Sequence, residues 1–96
     1  MREVVIRPRA FDDLESIWLY TYEQWSDSQA AHYLGRLNER ITELAETAEQ
    51  GKRCDVIREG YHSIHVCRHL IFYTLNDEMV GIGRVLHDQM DLSRHL

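Results

Sequence analysis

Residues 9–48 read RAFDDLESIWLYTYEQWSDSQAAHYLGRLNERITELAETA, two helical periods separated by one punctuation mark. Phe11, Leu14, Trp18, Tyr22 and Trp25 recur at three- and four-residue steps, with Ile17 widening the stripe, which predicts an amphipathic helix over 9–25. Pro8 suits its first turn, and Asp12, Asp13 and Glu15 complement the positive helix end. Ser26-Asp27-Ser28-Gln29 has capping-box spacing, so a second helix begins at once. Its stripe is Ala30, Tyr33/Leu34, Leu37, Ile41, Leu44/Ala45 and Ala48, giving a span of 27–48 that ends near Gly51. So short a joint forces an antiparallel hairpin. The two broad stripes need a further layer to cover them.

That layer must come from the flanks. Residues 3–7, Glu-Val-Val-Ile-Arg, are rich in β formers. After the hairpin, Asp55–Arg58 is a strand candidate and Glu59-Gly60 a turn. Tyr61–Cys67 alternates weakly, Leu70–Leu75 is densely apolar, and Asn76-Asp77-Glu78 marks a turn before a strand at Met79–Leu86. In that last strand Gly81 and Gly83 share one face, with Val80, Ile82, Arg84 and Leu86 on the other. The expected fold is α+β. An N-terminal strand and an antiparallel helical hairpin pack on an antiparallel sheet, in the order β-α-α-β-β-β with room for one more strand.

Ninety-six residues make one small domain, 1–96, with 44% apolar and 28% charged side chains. Neither half is basic: residues 1–54 hold seven basic and ten acidic side chains, residues 55–96 four and six, for a net −5. A non-specific grip on a nucleic-acid backbone is therefore not expected, though a local arginine cluster can still hold one phosphate. Residues 1–13 lack an apolar signal region and no run approaches a membrane span, so a cytoplasmic site with reduced Cys54 and Cys67 is the expectation.

Five of six histidines follow residue 60. On one strand, His65, Cys67 and His69 would share a face and offer nitrogen and sulfur to zinc, but the turn before Leu70 breaks the alternation. No metal and no cofactor are expected, and Gly81-x-Gly83 reads as packing. Arg58, Arg68 and Arg84 all lie on or beside strands. They either converge on the uncovered sheet face to grip a phosphate or carboxylate, or each pairs with an acidic neighbour such as Glu59 or Asp88. The residues alone leave an enzyme and a protein-binding module open.

Several strings, in order, resemble the ParE branch of the RelE/ParE superfamily of bacterial toxins. They are Arg9-Ala10-x-x-Asp13-Leu14-x-x-Ile17-x-x-Tyr20, then Trp25, then Gln29-Ala30-x-x-Tyr33-x-x-x-Leu37. Arg58-x-Gly60-Tyr61, Gly83-Arg84-Val85-Leu86-His87-x-x-Met90-Asp91 and Arg94-His95-Leu96 follow, so the resemblance covers residues 3–96. It implies a toxin that inhibits DNA gyrase by protein–protein contact and is neutralised by a ParD-like antitoxin in a hetero-oligomer. Arg58, Arg84, His87, Met90, Asp91 and Arg94 are the target-contact candidates. Trp18, Tyr22, Trp25, Tyr33 and Leu37 are the antitoxin-contact candidates, because so many aromatic rings exceed what a small core absorbs. The alternative is the ribosome-dependent messenger-RNA endonuclease of RelE type, with Arg84 stabilising phosphorane charge and His87 as acid or base. The position of a terminal tyrosine is filled by Met90 or a neighbour, which argues against it, since a thioether carries no exchangeable proton.

Overall fold

Strand β1 (Glu3–Ile6) leads into helix α1 (Pro8–Gln24), and helix α2 (Asp27–Thr47) returns antiparallel to it. The computed structural model describes residues 1–55 and 58–90. Pro8 occupies the first turn of α1, as its fixed φ favours. Ser26 caps α2, its Oγ accepting the Gln29 amide at 3.2 Å. Both expected helices are present within about a residue of their predicted ends. A short 3-10 turn, Ala48–Gln50, closes α2 before Gly51.

The remaining chain is a meander: β2 (Lys52–Arg53), β3 (His62–Val66), β4 (His69–Leu75) and β5 (Met79–His87). The sheet order is β1-β5-β4-β3-β2. The strand nearest to the candidate at Asp55–Arg58 is Lys52–Arg53, and residues 56 and 57 of that candidate lie outside the described residues. The meander is antiparallel throughout, whereas β1 runs parallel to β5, Glu3 opposite Met79 and Ile6 opposite Ile82. The helical hairpin is the crossover that a parallel pairing needs.

The core lies between the hairpin and one sheet face. Leu37, Ile41, Leu44 and Ala48 of the second helical segment meet Val66, Ile71, Tyr73, Val80, Ile82 and Val85 of the sheet. The expected alternation along β5 does not run unbroken. Phe72 pairs with Arg84 while Tyr73 pairs with Ile82, so Gly83 is an extra residue. This bulge puts Val85 on the core side with Ile82 and shifts Arg84 and Leu86 off the face they were expected to share with it. Helix α1 contributes least to the core: Ala10 is its one fully buried residue, and the expected inward stripe is rotated. Leu14 and Ile17 pack inward, whereas Phe11, Tyr22 and Trp25 are exposed and Trp18 is at the margin.

Tyr73 locks the end of α2 to the sheet. Its buried hydroxyl donates to the Ala48 carbonyl at 2.6 Å, and burial pushes its pKa up. A Cβ on Gly51 would sit 1.8 Å from that oxygen and 3.2 Å from the Ser63 carbonyl, so the chain passes there only as glycine. Gly51→Ala is expected to cost about 1–3 kcal/mol by overpacking. Tyr73→Phe is expected to cost a similar amount, about 1–3 kcal/mol, because a buried carbonyl loses its donor. Denaturant unfolding of both single variants and the double variant checks this. The double variant should cost less than the sum, since deleting the hydroxyl removes the tightest overlap.

Candidate functional site

Two surfaces flank the two ends of α1. At its start, β1 covers β5 only as far as Ile82, and the strand edge beyond would be bare. Asp13 occupies that edge. Its Oδ2 accepts the Val85 amide at 2.9 Å and Arg84 Nε at 2.8 Å, and its Oδ1 accepts Arg84 Nη2 at 2.9 Å. Both partners are largely buried, and the carboxylate holds the guanidinium charged beyond its already high pKa. Asp13 therefore does not serve the helix end, as the sequence suggested; α1 has no acidic residue in its first turn.

Beside this pair lies a cavity of about 340 Å³ lined by Arg7, Pro8, Arg9, Arg58, Tyr61, Gly83 and Arg84. Arg58 stands over the Tyr61 ring, 5.6 Å from its centroid, and Tyr61 stacks on Phe72 at 6.3 Å. The three arginines expected to converge do so only in part. Arg58 and Arg84 share this cavity, but Arg68 sits in the β3–β4 turn on the other surface. Arg84 pairs with Asp13 rather than with Glu59 or Asp88.

The second surface is a groove of about 390 Å³ at the far end of α1. It is lined by Ser16, Ile17, Tyr20, Thr21, Trp25, Tyr33, Arg68, His69 and His87. Trp25 is 74% exposed, Tyr20 65% and Tyr22 49%, with Trp18 stacked on Tyr22 at 6.3 Å. Tyr20 and Trp25 line the groove, whereas the stacked Trp18–Tyr22 pair lies further round the helix. Tyr33 lies at the groove floor, its hydroxyl bonded to His69 Nδ1 and accepting the Arg68 amide at 3.2 Å. Leu37, expected among the antitoxin contacts, is instead fully buried in the core and offers no surface. Tyr20, Arg7, Arg9 and Tyr61 were not singled out as site residues. Tyr20 lay in the quoted helix-one string, and the arginines flank the Pro8 helix start.

His65, Cys67 and His69 do not share a face. Val66 pairs with His69 and His65 with Leu70 across a two-residue turn in which Cys67 takes φ 57°. His65 pairs with Asp88 at 2.9 Å instead, and its hydrogen bond keeps that carboxyl below the usual range. His87 Nδ1 lies 3.1 Å from the Gln89 amide nitrogen and 3.5 Å from Asp88 Oδ1. Arg84 and His87 stand three positions apart on β5 and line different cavities. Met90 follows β5 and is 37% exposed, while Asp91 and Arg94 lie outside the described residues. Among the described residues no helix is long and apolar enough to cross a membrane.

Arg84→Ala leaves Asp13 half-paired in a nearly buried position and should cost about 2–4 kcal/mol. Asp13→Ala should cost a similar amount, about 2–4 kcal/mol, and the double variant markedly less than the sum, as chemical denaturation would read. Burial first, then the neighbouring His87 ring at 5.2 Å, press His69 from the usual 6.5 down to about 4, against the opposing pull of Asp88 and Asp13. As pH falls between those values the unfolded chain takes up a proton that the folded chain refuses. Stability is thus intact above about 6.5 and lost towards about 4. The ring is partly open to water, so screening limits the loss to about 1–2 kcal/mol. His69→Gln should flatten that part of the stability profile. A ring titration by NMR with its midpoint near 6.5 would contradict the assignment.

Residues 4–92 match the family model described as the ParE toxin of the type II toxin-antitoxin system parDE. Toxin ParE1 of Mycobacterium tuberculosis is 38% identical over 93 residues, covering 96% of this chain and 95% of that protein. Toxin ParE1 of Caulobacter vibrioides is 34% identical over 96 residues, covering all of this chain and 99% of that one. The fold is similar to a chain of the chromosomal ParDE system from P. aeruginosa, with a TM-score of 0.80 at 16% identity, covering 91% and 96% of the two chains. It is also similar to YoeB from Staphylococcus aureus, at a TM-score of 0.62 and 16% identity over 90% and 95%.

Proposed function

This chain belongs to the ParE toxin family of type II toxin–antitoxin systems, and we propose that it inhibits DNA gyrase by protein–protein contact in the cytoplasm and is held inactive by a ParD-like antitoxin. The observation that carries the choice of a binding inhibitor over a nuclease is the separation of Arg84 from His87. A phosphodiester-cleaving site needs its charge stabiliser and its proton carrier on the same few ångströms of substrate. Here Arg84 is committed to Asp13 at the start of α1, and His87 faces the groove at its other end.

The exposed rings of α1 supply the antitoxin side of the reading. Tyr20 and Trp25 on a half-open apolar groove, with Trp18 and Tyr22 exposed further round α1, suit the apolar face of an amphipathic helix. Aromatic anchors in such grooves carry a disproportionate share of binding energy. Target contact falls to Arg58 and the end of β5, with Arg84, His87 and Met90, where a few complementary charges give specificity to a chain of net −5. Asp91 and Arg94 extend that set along the sequence.

The decisive experiment uses purified gyrase, relaxed plasmid and this chain, alongside a ribosome-programmed messenger-RNA cleavage assay. Supercoiling is expected to be inhibited without cleavage of the message. His87→Ala should retain inhibition within about tenfold, because no proton transfer is lost. Messenger-RNA cleavage that falls about 100-fold or more in His87→Ala, with supercoiling untouched, would overturn the reading in favour of the endonuclease. Added antitoxin is expected to restore supercoiling, and Trp25→Ala should raise the amount required by about tenfold or more.

A further inference from the structure

The arginine cavity at the start of α1 gathers more positive charge than the protein itself balances. Arg7, Arg9, Arg58 and Arg84 surround Tyr61 there, and Arg84 is the one of the four that is paired with an acid, Asp13. Among the described residues, no carboxylate pairs with the side chains of Arg7, Arg9 or Arg58, and none of those lining the cavity is acidic. The first turn of α1 adds no acidic side chain either. Four guanidiniums against one carboxylate leave a local +3 in a chain of net −5. An anionic occupant relieves the repulsion among charges so placed.

The floor is shaped for the arrangement. A Cβ on Gly81 would meet the Arg7 guanidinium at 2.8 Å, and one on Gly83 would meet Tyr61 Oη at 2.6 Å. The bare backbone of β5 is thus what lets an arginine and a tyrosine lie across it. Arg58 stands over the Tyr61 ring and Phe72 stacks on it, so Tyr61 offers a ligand its hydroxyl, which can donate a hydrogen bond. Besides the Arg84–Asp13 pair, the cavity presents three guanidinium forks and a phenol to whatever enters.

We propose that this cavity binds a diphosphate group, as carried by a nucleoside diphosphate or by inorganic pyrophosphate. Charge and size select it together. A diphosphate brings about three negative charges near pH 7, the complement of the local +3. The cavity, of about 340 Å³, admits that much charge only on one compact molecule. A carboxylate side chain carries a single charge on two oxygens, so a peptide would need three of them in the same space. Guanidinium forks also meet phosphoryl oxygens two at a time, which lets each arginine fix orientation as well as charge. A nucleic-acid strand spreads its phosphates and needs a basic track, whereas this chain has a single lysine, Lys52. Arg58 and Arg84 also belong to the proposed target surface, so a bound diphosphate would cover part of it. Binding of the ligand does not depend on what the chain inhibits.

The test is calorimetric titration of the full chain with ADP, inorganic pyrophosphate, adenosine and citrate, each to about 1 mM, in about 50 mM salt. ADP and pyrophosphate should both bind, and about tenfold more weakly at about 300 mM salt. Adenosine, which carries no phosphate, should not bind. ADP tighter than pyrophosphate by about tenfold or more makes a nucleotide the ligand, and equal affinities make it the diphosphate alone. Arg9→Ala combined with Arg58→Ala removes two exposed charges without touching the core or the Asp13 pair. The double variant should bind both ligands about tenfold or more weakly. Arg36→Ala, an exposed charge on α2, should stay within about twofold. Equal thermal melts of the three chains establish that folding is unaltered. No binding of ADP or pyrophosphate to the wild-type chain, or equal binding by the double variant, overturns the proposal. So does citrate binding as tightly as pyrophosphate, or adenosine as tightly as ADP. A single-stranded RNA of roughly 20 nucleotides that binds through the same two arginines about 100-fold more tightly than ADP assigns the cavity to nucleic acid and overturns it too. Neither gyrase nor antitoxin enters the assay, so each of these failures leaves the toxin–antitoxin reading standing.

Discussion

One carboxylate determines how the first helix meets the sheet. Asp13 satisfies an edge amide that β1 is too short to cover and, with the same two oxygens, a guanidinium that would otherwise point away. Hydrogen bonds to a charged group are each worth about 1.5–3 kcal/mol when shielded from water. This matters more than usual because α1 buries little, with Ala10 as its only fully enclosed side chain. Leu14 and Ile17 add partial burial, and the clamp adds its hydrogen bonds. A helix held by a point and a narrow seam can keep its widest, most aromatic side facing out. The exposure of Trp25 and Tyr20 is thus a consequence of how α1 is attached.

The same attachment separates two chemistries. At one end of α1 the environment is cationic and wet, built from arginines around a tyrosine laid on bare glycine backbone. At the other it is aromatic, with a neutral histidine pinned between Tyr33 and His87. Neither end alone makes a recognisable catalytic constellation. The two ends of α1 thus differ in kind, one cationic and one aromatic and apolar.

Local features were legible from residue order. The Ser26 cap, Pro8, the Asn76–Glu78 turn and the 3.6-residue period of α2 are short-range signals, and each element forms where its signal lies. What escaped was set by partners far along the chain. The rotation of α1 goes with Asp13 meeting Arg84, 71 positions away, and its most conspicuous aromatic stripe is not the buried one. The bulge at Gly83 reverses the faces of Arg84 and Leu86 relative to Ile82, and no periodicity in β5 announces it. The convergence of Arg7 and Arg9 with Arg58 requires knowing that the start of α1 lies beside β5, a tertiary fact. Leu37 illustrates the opposite error: on an apolar stripe, core and interface positions look alike until the packing is known.

The parallel pairing of β1 with β5 has a temporal side. Glu3 finds its strand partner only at Met79, so the first strand made has nothing to pair with until the last strand exists. At roughly 5–20 residues per second of synthesis, that interval is about 4–15 s. Meanwhile the hairpin of α1 and α2, built from local contacts, can form long before the sheet that covers it. The edge that Asp13 closes and the wall that shapes the arginine cavity both belong to β5, so neither exists on a nascent chain. A surface assembled by β5, the last strand among the described residues, exists only once that strand has been made.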